Sequence, residues 1–573
     1  MAKKKITVTC QNTGKKYEIP AGTTLKEFSD RCCTVIRDPK TGVEFPVFAA
    51  LVDHKLKELS YDLFYNHEVT FIGYNHPDGR RTYFRSLGFV LQRAVRDLWP
   101  DKVLIIDHCL PSGFFCEIVE AEPDDRGKRI PYLLNAAEVS LIQARMQELV
   151  EADLPITKVK MLAEDACKIF DANNQPLKAG LIRSLGRYFC SVYYLDGLAD
   201  SFHGPLVPST GYLKVFRLFP FCNGFCLQYP EAKDPSRLIP IKPQVKLSET
   251  FKKYSEWCFI NGALGVGSLN RRLLDGDAVN LINICEARHE RKYVEIADRI
   301  FAEKDRIKIV FIAGPSSSGK TSSSLRIAQQ CKVLGLNPKV IELDNYFVDR
   351  EFTPRDENGD YDFEALEAME LKMLGDHLNA LLAGEEVEIP RYDFKQGRKF
   401  FEGNRVRLHE RDILIMEGIH ALDPAMVPSV DKTRIYRVYA SALTSLNVDE
   451  NNAISTSDNR LLRRMVRDNR VRGISPQDTI LRWHSVRSGE NRNIFPFQEN
   501  ADFLLNTALL YELPMLKYFA EPLLRRILPS SPAYTEAVRL LKFLDYIVAL
   551  QPSEIACIPP TSIMREFIGG QTL

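Results

Sequence analysis

Alternating apolar and polar residues open the chain: Ile6-Thr7-Val8-Thr9-Cys10 and Lys16-Tyr17-Glu18-Ile19 flank the turn cluster Asn12 to Gly14, which predicts a β-hairpin. Thr24 with Glu27 three residues on has capping-box spacing, and Leu25 and Phe28 begin an apolar helical face. Short strands at Phe48 to Val52 and Val69 to Ile72 complete a small β-grasp-like unit by residue 73. Arg81 to Pro100 reads as a helix, followed by a strand at Val103 to Ile106. The Pro-rich passage Pro230 to Pro243 reads as a linker. Phe251 to Phe301 reads as helices, with Trp257, Leu269, Leu273 and Ile282 among the apolar positions. His289, within the charged run Glu286 to Glu290, reads there as a solvated side chain.

Beyond residue 305 the pattern changes to short apolar runs. Ile309-Val310-Phe311-Ile312-Ala313, Val340-Ile341-Glu342-Leu343 and Ile413-Leu414-Ile415-Met416 predict strands, with further strands at Arg434 to Tyr439 and Ala501 to Asn506. A helical segment from Ser323 to Cys331 follows the first run, so strand and helix alternate as in an open α/β sheet. Tyr534 to Leu550 predicts a helix in the tail.

Composition narrows the class. The 573 residues are enough for several domains, and 45% hydrophobic with 26% charged residues is ordinary globular usage. Seventy-six basic against 75 acidic side chains leave no global field toward nucleic acid or membrane. Thirteen cysteines without pairing rhythm argue against a disulfide framework, and Cys222-x3-Cys226 lacks the second pair of a zinc site. The basic start Met1 to Lys5 leads into a strand rather than a signal core, and no apolar run nears the ~18 residues of a spanning helix, so the expected location is cytoplasmic.

The chemistry starts where the first apolar run meets Gly314-Pro315-Ser316-Ser317-Ser318-Gly319-Lys320-Thr321. A strand, a glycine-bounded loop and a helix in this order form a P-loop: the backbone turns its N–H groups toward a phosphate, Lys320 reaches the β- and γ-phosphates, and the Thr321 hydroxyl serves Mg2+. Asp344, at the carboxyl end of the next strand, is placed to take the proton of an attacking hydroxyl. Glu417 ends another apolar run as a Walker-B-like acid for Mg2+. Arg460, Arg463, Arg464, Arg467 and Arg470 recur at helical spacing, predicting a lid helix whose guanidiniums gather along one side and close over the transferring phosphoryl.

Five ordered motifs carry a resemblance: Gly314 to Thr321, Asp344-Asn345-Tyr346-Phe347, Ile389 to Phe394, Glu417-Gly418-Ile419 and Arg463-Arg464-x2-Arg467-Asp468-x3-Arg472-Gly473. In this order they resemble the uridine kinases and related phosphoribulokinases over about residues 305 to 507. The resemblance implies that Asp344, Lys320 and Arg467 are catalytic and that Gly314, Ser316, Ser317, Ser318, Gly319, Lys320 and Thr321 bind ATP or GTP. It implies Mg2+ on Thr321 and Glu417, and a nucleoside on Phe363, Glu364, Tyr392, Phe394, Arg464 and Arg472. The family's acid at 364 is Asp, so Glu364 shifts the sugar contact, and the histidine that reads the pyrimidine falls on Gly397.

The first 230 residues resemble the N-terminal domains of threonyl-tRNA synthetases: a TGS module, a helix ending Leu98-Trp99-Pro100, the hairpin at Ser112-Gly113-Phe114-Phe115 and the segment Phe202 to Pro208. That family's four hydrolytic positions fall on Arg85, Phe89, Phe202 and Leu206, so the resemblance implies the editing fold without editing. The expected architecture is an α/β P-loop kinase domain, a parallel sheet with flanking helices, plus N-terminal α+β domains. Its divisions are 1–73 (TGS-like β-grasp), 74–230 (editing-like), 231–300 (linker and helical segment), 301–510 (kinase) and 511–573 (helical extension). Together with that arrangement, the chain resembles long-form uridine or nucleoside kinases. The expected partners are a nucleoside and ATP or GTP with no membrane, RNA binding by the N-terminal half and homo-oligomerisation remaining open. The competing readings are a kinase of another small-molecule alcohol and an RNA- or ribosome-associated regulator switched by nucleotide.

Overall fold

The structure, a computed structural model, describes all residues except 1–3, 39–41, 112, 123, 125–127, 233, 356–358 and 360. Ser112 of the expected hairpin and the first three residues thus lie outside the described residues.

The opening alternation becomes a five-stranded sheet in the order Lys15–Pro20, Lys5–Cys10, His67–Ile72, Ala49–Val52, Lys55–Glu58. Its first two strands are antiparallel, while Lys5–Cys10 runs parallel to His67–Ile72. Helix Leu25–Cys32 covers it and starts on the capping box, with Glu27 N–H donating to Thr24 Oγ1 at 3.1 Å and Thr24 N–H donating to Glu27 at 2.9 Å. Val8, Leu25, Phe28, Val69 and Phe71 form the core beneath it.

The next helix, Pro77–Leu98, buries one face against a four-stranded antiparallel path of Lys102–Leu110, Gly113–Glu120, Gly224–Gln228 and Arg217–Phe221. Here the rings of Phe89 and Phe202 meet at 5.3 Å, Leu206 joins the same core, and Arg85 donates to the Pro205 carbonyl. Two of the four positions are thus a ring contact and a third is packed aliphatic.

Five parallel strands form the third sheet, ordered Asn337–Glu342, Asp412–Glu417, Ile309–Ala313, Ile435–Ser441, Phe503–Asn506. Every residue of Ile309–Ala313 and Asp412–Glu417 is buried, because helices cover both faces. Lys320–Val333 and Ala278–Ala302 pack on one face, through Ile327, Tyr293, Ile296 and Ile300, and Leu371–Leu382 packs on the other. Helix Ala278–Ala302 is therefore part of this core rather than a connector. That corrects the reading of His289. It is buried, 3.2 Å from the Tyr293 hydroxyl, and burial together with Arg326 and Arg463 holds its pKa well below the usual value. Position 289 falls on the inner face, and so does Glu286, which accepts from the buried hydroxyls of Tyr511 and Ser562.

The tail helix is shorter than expected, Tyr534–Leu544. Ile563, Met564 and Phe567 beyond it are fully buried in one cluster with Leu461, Leu462 and Met465. Among the described residues no helix is long and apolar enough to cross a membrane.

Candidate active site

The phosphate loop lies at the carboxyl end of the central strand, and its two glycines are there for steric reasons. A Cβ on Gly314 would stand 2.0 Å from the Ala440 carbonyl oxygen, and Gly319 adopts φ +83 with Ile563 Cδ1 2.1 Å from where a Cβ would be. Gly319 is also the N-cap of helix Lys320–Val333 and supplies no side chain to the first-turn amides, so this helix start is open to an anion. From behind, the loop carbonyls are tied down: Ser316 by Arg460 at 3.0 Å, Ser317 by Arg463 at 3.4 Å, Ser318 by the Thr507 hydroxyl at 2.6 Å. The Ser316 N–H donates to Glu490 at 3.0 Å. The hydroxyls of Ser317 and Ser318 are buried with no protein partner. Such orphaned donors suit a phosphate.

The acids converge from two strands. Thr321 Oγ1 donates to Glu417 Oε1 at 2.7 Å, joining the loop to the end of the adjacent strand. Asp344 stands on the short turn Leu343–Tyr346 that ends strand Asn337–Glu342. Removal from water raises Asp344 to about 6 and Glu364 and Glu417 to about 7, while Lys320 pulls all three down. The Lys320 ammonium itself reaches the Pro315 carbonyl at 3.5 Å. A hydroxyl and carboxylates make an all-oxygen donor set, of the kind a hard divalent cation such as Mg2+ takes, so these residues fit that ion.

Beside the acids is an aromatic wall. Phe347 meets Phe363 at 6.2 Å, Tyr392 at 5.7 Å and Phe394 at 6.0 Å, and Tyr392 meets Phe394 at 5.1 Å. The Tyr392 hydroxyl is buried with no partner, and its N–H donates to Asn345 at 3.3 Å, next to Asp344. Gly397 adopts φ +70, and a Cβ there would meet the Arg350 side chain at 2.8 Å. Arg350 thus fills the room beside position 397 and donates its N–H to the Gly397 carbonyl at 2.8 Å.

The arginine helix, Thr456–Arg472, corrects the expectation that all five guanidiniums close as a lid. Arg460 and Arg463 are 1% and 0% exposed and point into the protein, paired with Glu490 at 2.8 Å and Glu512 at 2.7 Å. They brace the loop and are not free to move as a lid. Arg470 turns to the tail, donating to the carbonyls of Phe567 and Glu566. Arg464, Arg467 and Arg472 collect around the buried Asp468 at 3.2, 3.0 and 3.5 Å, and Arg464 also donates to Ser316 Oγ at 2.9 Å. Residues three and four apart stay on neighbouring positions of one helix side, so the set is divided by its partners: Arg460 and Arg463 each meet a buried glutamate, Arg464 and Arg467 meet Asp468, and Arg470 meets the tail. Glu490, Glu512, Asp468 and Arg350 are functional neighbours that spacing alone does not single out; only Asp468 lies inside a motif.

A phosphate loop at the carboxyl edge of a parallel sheet, with a carboxylate at the end of the next strand, defines the chemistry of a phosphotransferase. Residues 309–509 match the family described as "Phosphoribulokinase / Uridine kinase family", and this C-terminal region is a kinase domain of that family. Among the relatives is the uridine kinase of Halobacterium salinarum, 29% identical over 195 residues, 34% of this chain and 77% of that protein. The threonine–tRNA ligase of Syntrophotalea carbinolica is 29% identical over 210 residues, 35% of this chain and 31% of the ligase, so the chain spans about a third of the length of such relatives. Among solved structures, D-glycerate 3-kinase from Cryptococcus neoformans is 13% identical with a TM-score of 0.25, over 37% of this chain and 89% of that one.

Proposed function

We propose that the protein is a nucleoside kinase that moves the γ-phosphoryl of ATP or GTP to the 5′-hydroxyl of a uridine- or cytidine-like nucleoside with Mg2+. The observation that carries the reading is the half-buried Asp344 beside the phosphate loop and the aromatic wall, within the field of Lys320 and Glu364. A nucleotide-binding switch has no need of a base facing an alcohol. Loop amides and Lys320 hold the donor phosphates; Ser317 and Ser318 contribute hydroxyls that otherwise lack partners. Thr321 and Glu417 would hold Mg2+, which supplies charge neutralisation at the phosphates when bound. Asp344 takes the acceptor's proton, Glu364 holds ribose hydroxyls, and Phe363, Tyr392 and Phe394 enclose the base. Arg464, Arg467 and Arg472, clustered on Asp468, neutralise the transferring group.

Of the five divisions named above, the first two serve as a proposed non-editing module and the fourth, with helix Ala278–Ala302 packed on its sheet, as the proposed kinase domain, and the cytoplasm is the proposed location. Because Arg350 rather than a histidine occupies the space at Gly397, a kinase of another small alcohol remains the second reading. A panel of nucleosides and small alcohols with ATP or GTP and Mg2+, run on wild type and Asp344→Asn, tests the proposal. Nucleoside monophosphate formed only by the wild type supports it.

A further inference from the structure

The described residues enclose a cavity of about 820 Å³ between the N-terminal half and the kinase half, walled by helix Pro77–Leu98, segment 448–458, and side chains of the arginine helix and of Tyr534–Leu544. The volume is that of a small-molecule site. The residues assigned above to phosphate and acceptor, apart from the loop-bracing Arg460, do not line it.

Its wall is rich in guanidinium. Arg80, Arg81, Arg85, Arg460, Arg487 and Arg539 all line it. Four of them have carboxylate partners: Arg81 and Arg539 share Glu536 and pair with Asp78 and Asp458, while Arg460 and Arg487 share Glu490. Arg80 and Arg85 differ. They donate only to backbone carbonyls of Tyr74, Asn75 and Pro205 and to the Thr82 hydroxyl, with no carboxylate partner among the described residues. Burial lowers Arg85 to about 10, and the same burial, with Arg85 beside it, lowers His203 to about 3. His203 Nδ1 and Arg460 Nε are buried polar atoms on this wall without a partner. Six arginines facing four carboxylates, two of which are each shared by two arginines, leave a net cationic cavity that a bound anion would stabilise.

Next to these cations lies an aromatic platform. Phe84 and Tyr229 are 4.2 Å apart at their centroids, Phe114 packs on both, and Arg487 lies over Phe495 at 5.0 Å. A planar ring and an anionic group are thus accommodated together. The cavity also touches the phosphate loop indirectly. Arg460 donates to the Ser316 carbonyl, and Glu490, which it shares with Arg487, accepts the Ser316 N–H.

We propose that this cavity is a second site for a nucleoside phosphate, its phosphates on Arg80 and Arg85 and its base on Phe84 and Tyr229. Its occupancy is linked to that of the phosphate loop through Arg460 and Glu490. The field of an anion held by Arg80 and Arg85 also acts on Arg460 and Arg487 of the same wall and leaves Glu490 less compensated against the loop, so each site weakens the other. The inference is independent of which alcohol the kinase accepts.

Calorimetric titration of the full-length protein with nucleoside mono- and triphosphates, and with pyrophosphate as a ring-free probe, is the test. Wild type is expected to bind two nucleotides and Lys320→Ala one. In the Lys320→Ala background, Arg85→Gln or Arg80→Gln should weaken the remaining event at least tenfold, and Phe84→Leu should weaken nucleotide but not pyrophosphate. Phe84→Leu leaves every charge in place, so it keeps the test valid when an arginine variant does not fold. The cavity event should be at least threefold tighter in Lys320→Ala than in wild type. The second site is overturned when Lys320→Ala binds nothing or the cavity variants change nothing. Pyrophosphate binding as tightly as nucleotide overturns the base contact, and equal cavity affinity in the two backgrounds overturns the linkage.

Discussion

Asp344→Asn isolates the step that separates a kinase of alcohols from a nucleotide binder. A general base must be unprotonated to act, and burial raises Asp344 to about 6, above the ordinary carboxylate range. The sign follows directly: kcat/KM for the acceptor is at its plateau above pH 7 and falls as the pH drops through 6. With a single ionisation at that value, roughly a tenth of the plateau remains at about pH 5. Replacing the carboxylate by an amide keeps the shape, removes the proton acceptor, and should lower the plateau by about 10² to 10⁴. That is roughly 3–5 kcal/mol of barrier. Donor binding should move the other way or not at all, since the variant removes one negative charge from the field around Lys320, where the donor phosphates would lie. The assay is steady-state turnover from pH 5 to 9 for both proteins, with donor affinity measured separately by calorimetry. A fall of less than tenfold, or a wild-type profile flat through pH 6, would refute the role given to Asp344.

The remaining predictions concern the supports of the site. Glu490→Gln leaves the fully buried Arg460 without its counter-ion, at a cost of about 3–5 kcal/mol in urea unfolding; a loss under about 1 kcal/mol would show that the pair does not brace the loop. Gly397→Ala puts a Cβ at φ +70 and 2.8 Å from Arg350, costing about 1–2 kcal/mol. It should raise KM for the acceptor and leave KM for the donor alone; an unchanged acceptor KM counts against a role for Arg350 beside the base. Glu536, held at about 2 by Arg539 and Arg81, contributes stability above its unfolded pKa, and this is lost as the pH falls from about 4.5 toward 2. Glu536→Gln should therefore flatten that part of the acid-unfolding curve by up to about 3 kcal/mol, and an unchanged curve would place the linkage elsewhere.

Features set by neighbouring residues were readable in the chain, and those set across long separations were not. The run Ile309–Ala313 reads as a strand because both its faces are covered, which removes polar residues from every position. The capping box at Thr24 and Glu27 is local in the same sense. By contrast, the partners of Arg460 and Arg463 lie 30 and 49 residues away, so an arginine at helical spacing looks the same whether it faces solvent or a buried glutamate. His289 failed for a related reason: its helix was read by the charges around it, whereas the sheet beneath decides which face is buried. Thr321 and Glu417 meet across 96 residues, a contact that the P-loop pattern implies only once the two strands are known to be adjacent. The packing of the tail through Ile563 onto Gly319 carries no sequence signal. Nor does the arginine-lined cavity, whose wall is drawn from both halves of the chain.

The central claim is phosphoryl transfer to a nucleoside hydroxyl, and the most direct measurement follows the phosphoryl group itself. Purified protein is incubated with γ-labelled ATP or GTP, Mg2+ and each common nucleoside in turn, and the label is located by mass spectrometry. The account predicts label on the 5′-oxygen of at least one pyrimidine nucleoside. Label found only in inorganic phosphate, or no nucleoside monophosphate from any member of the panel, would contradict it.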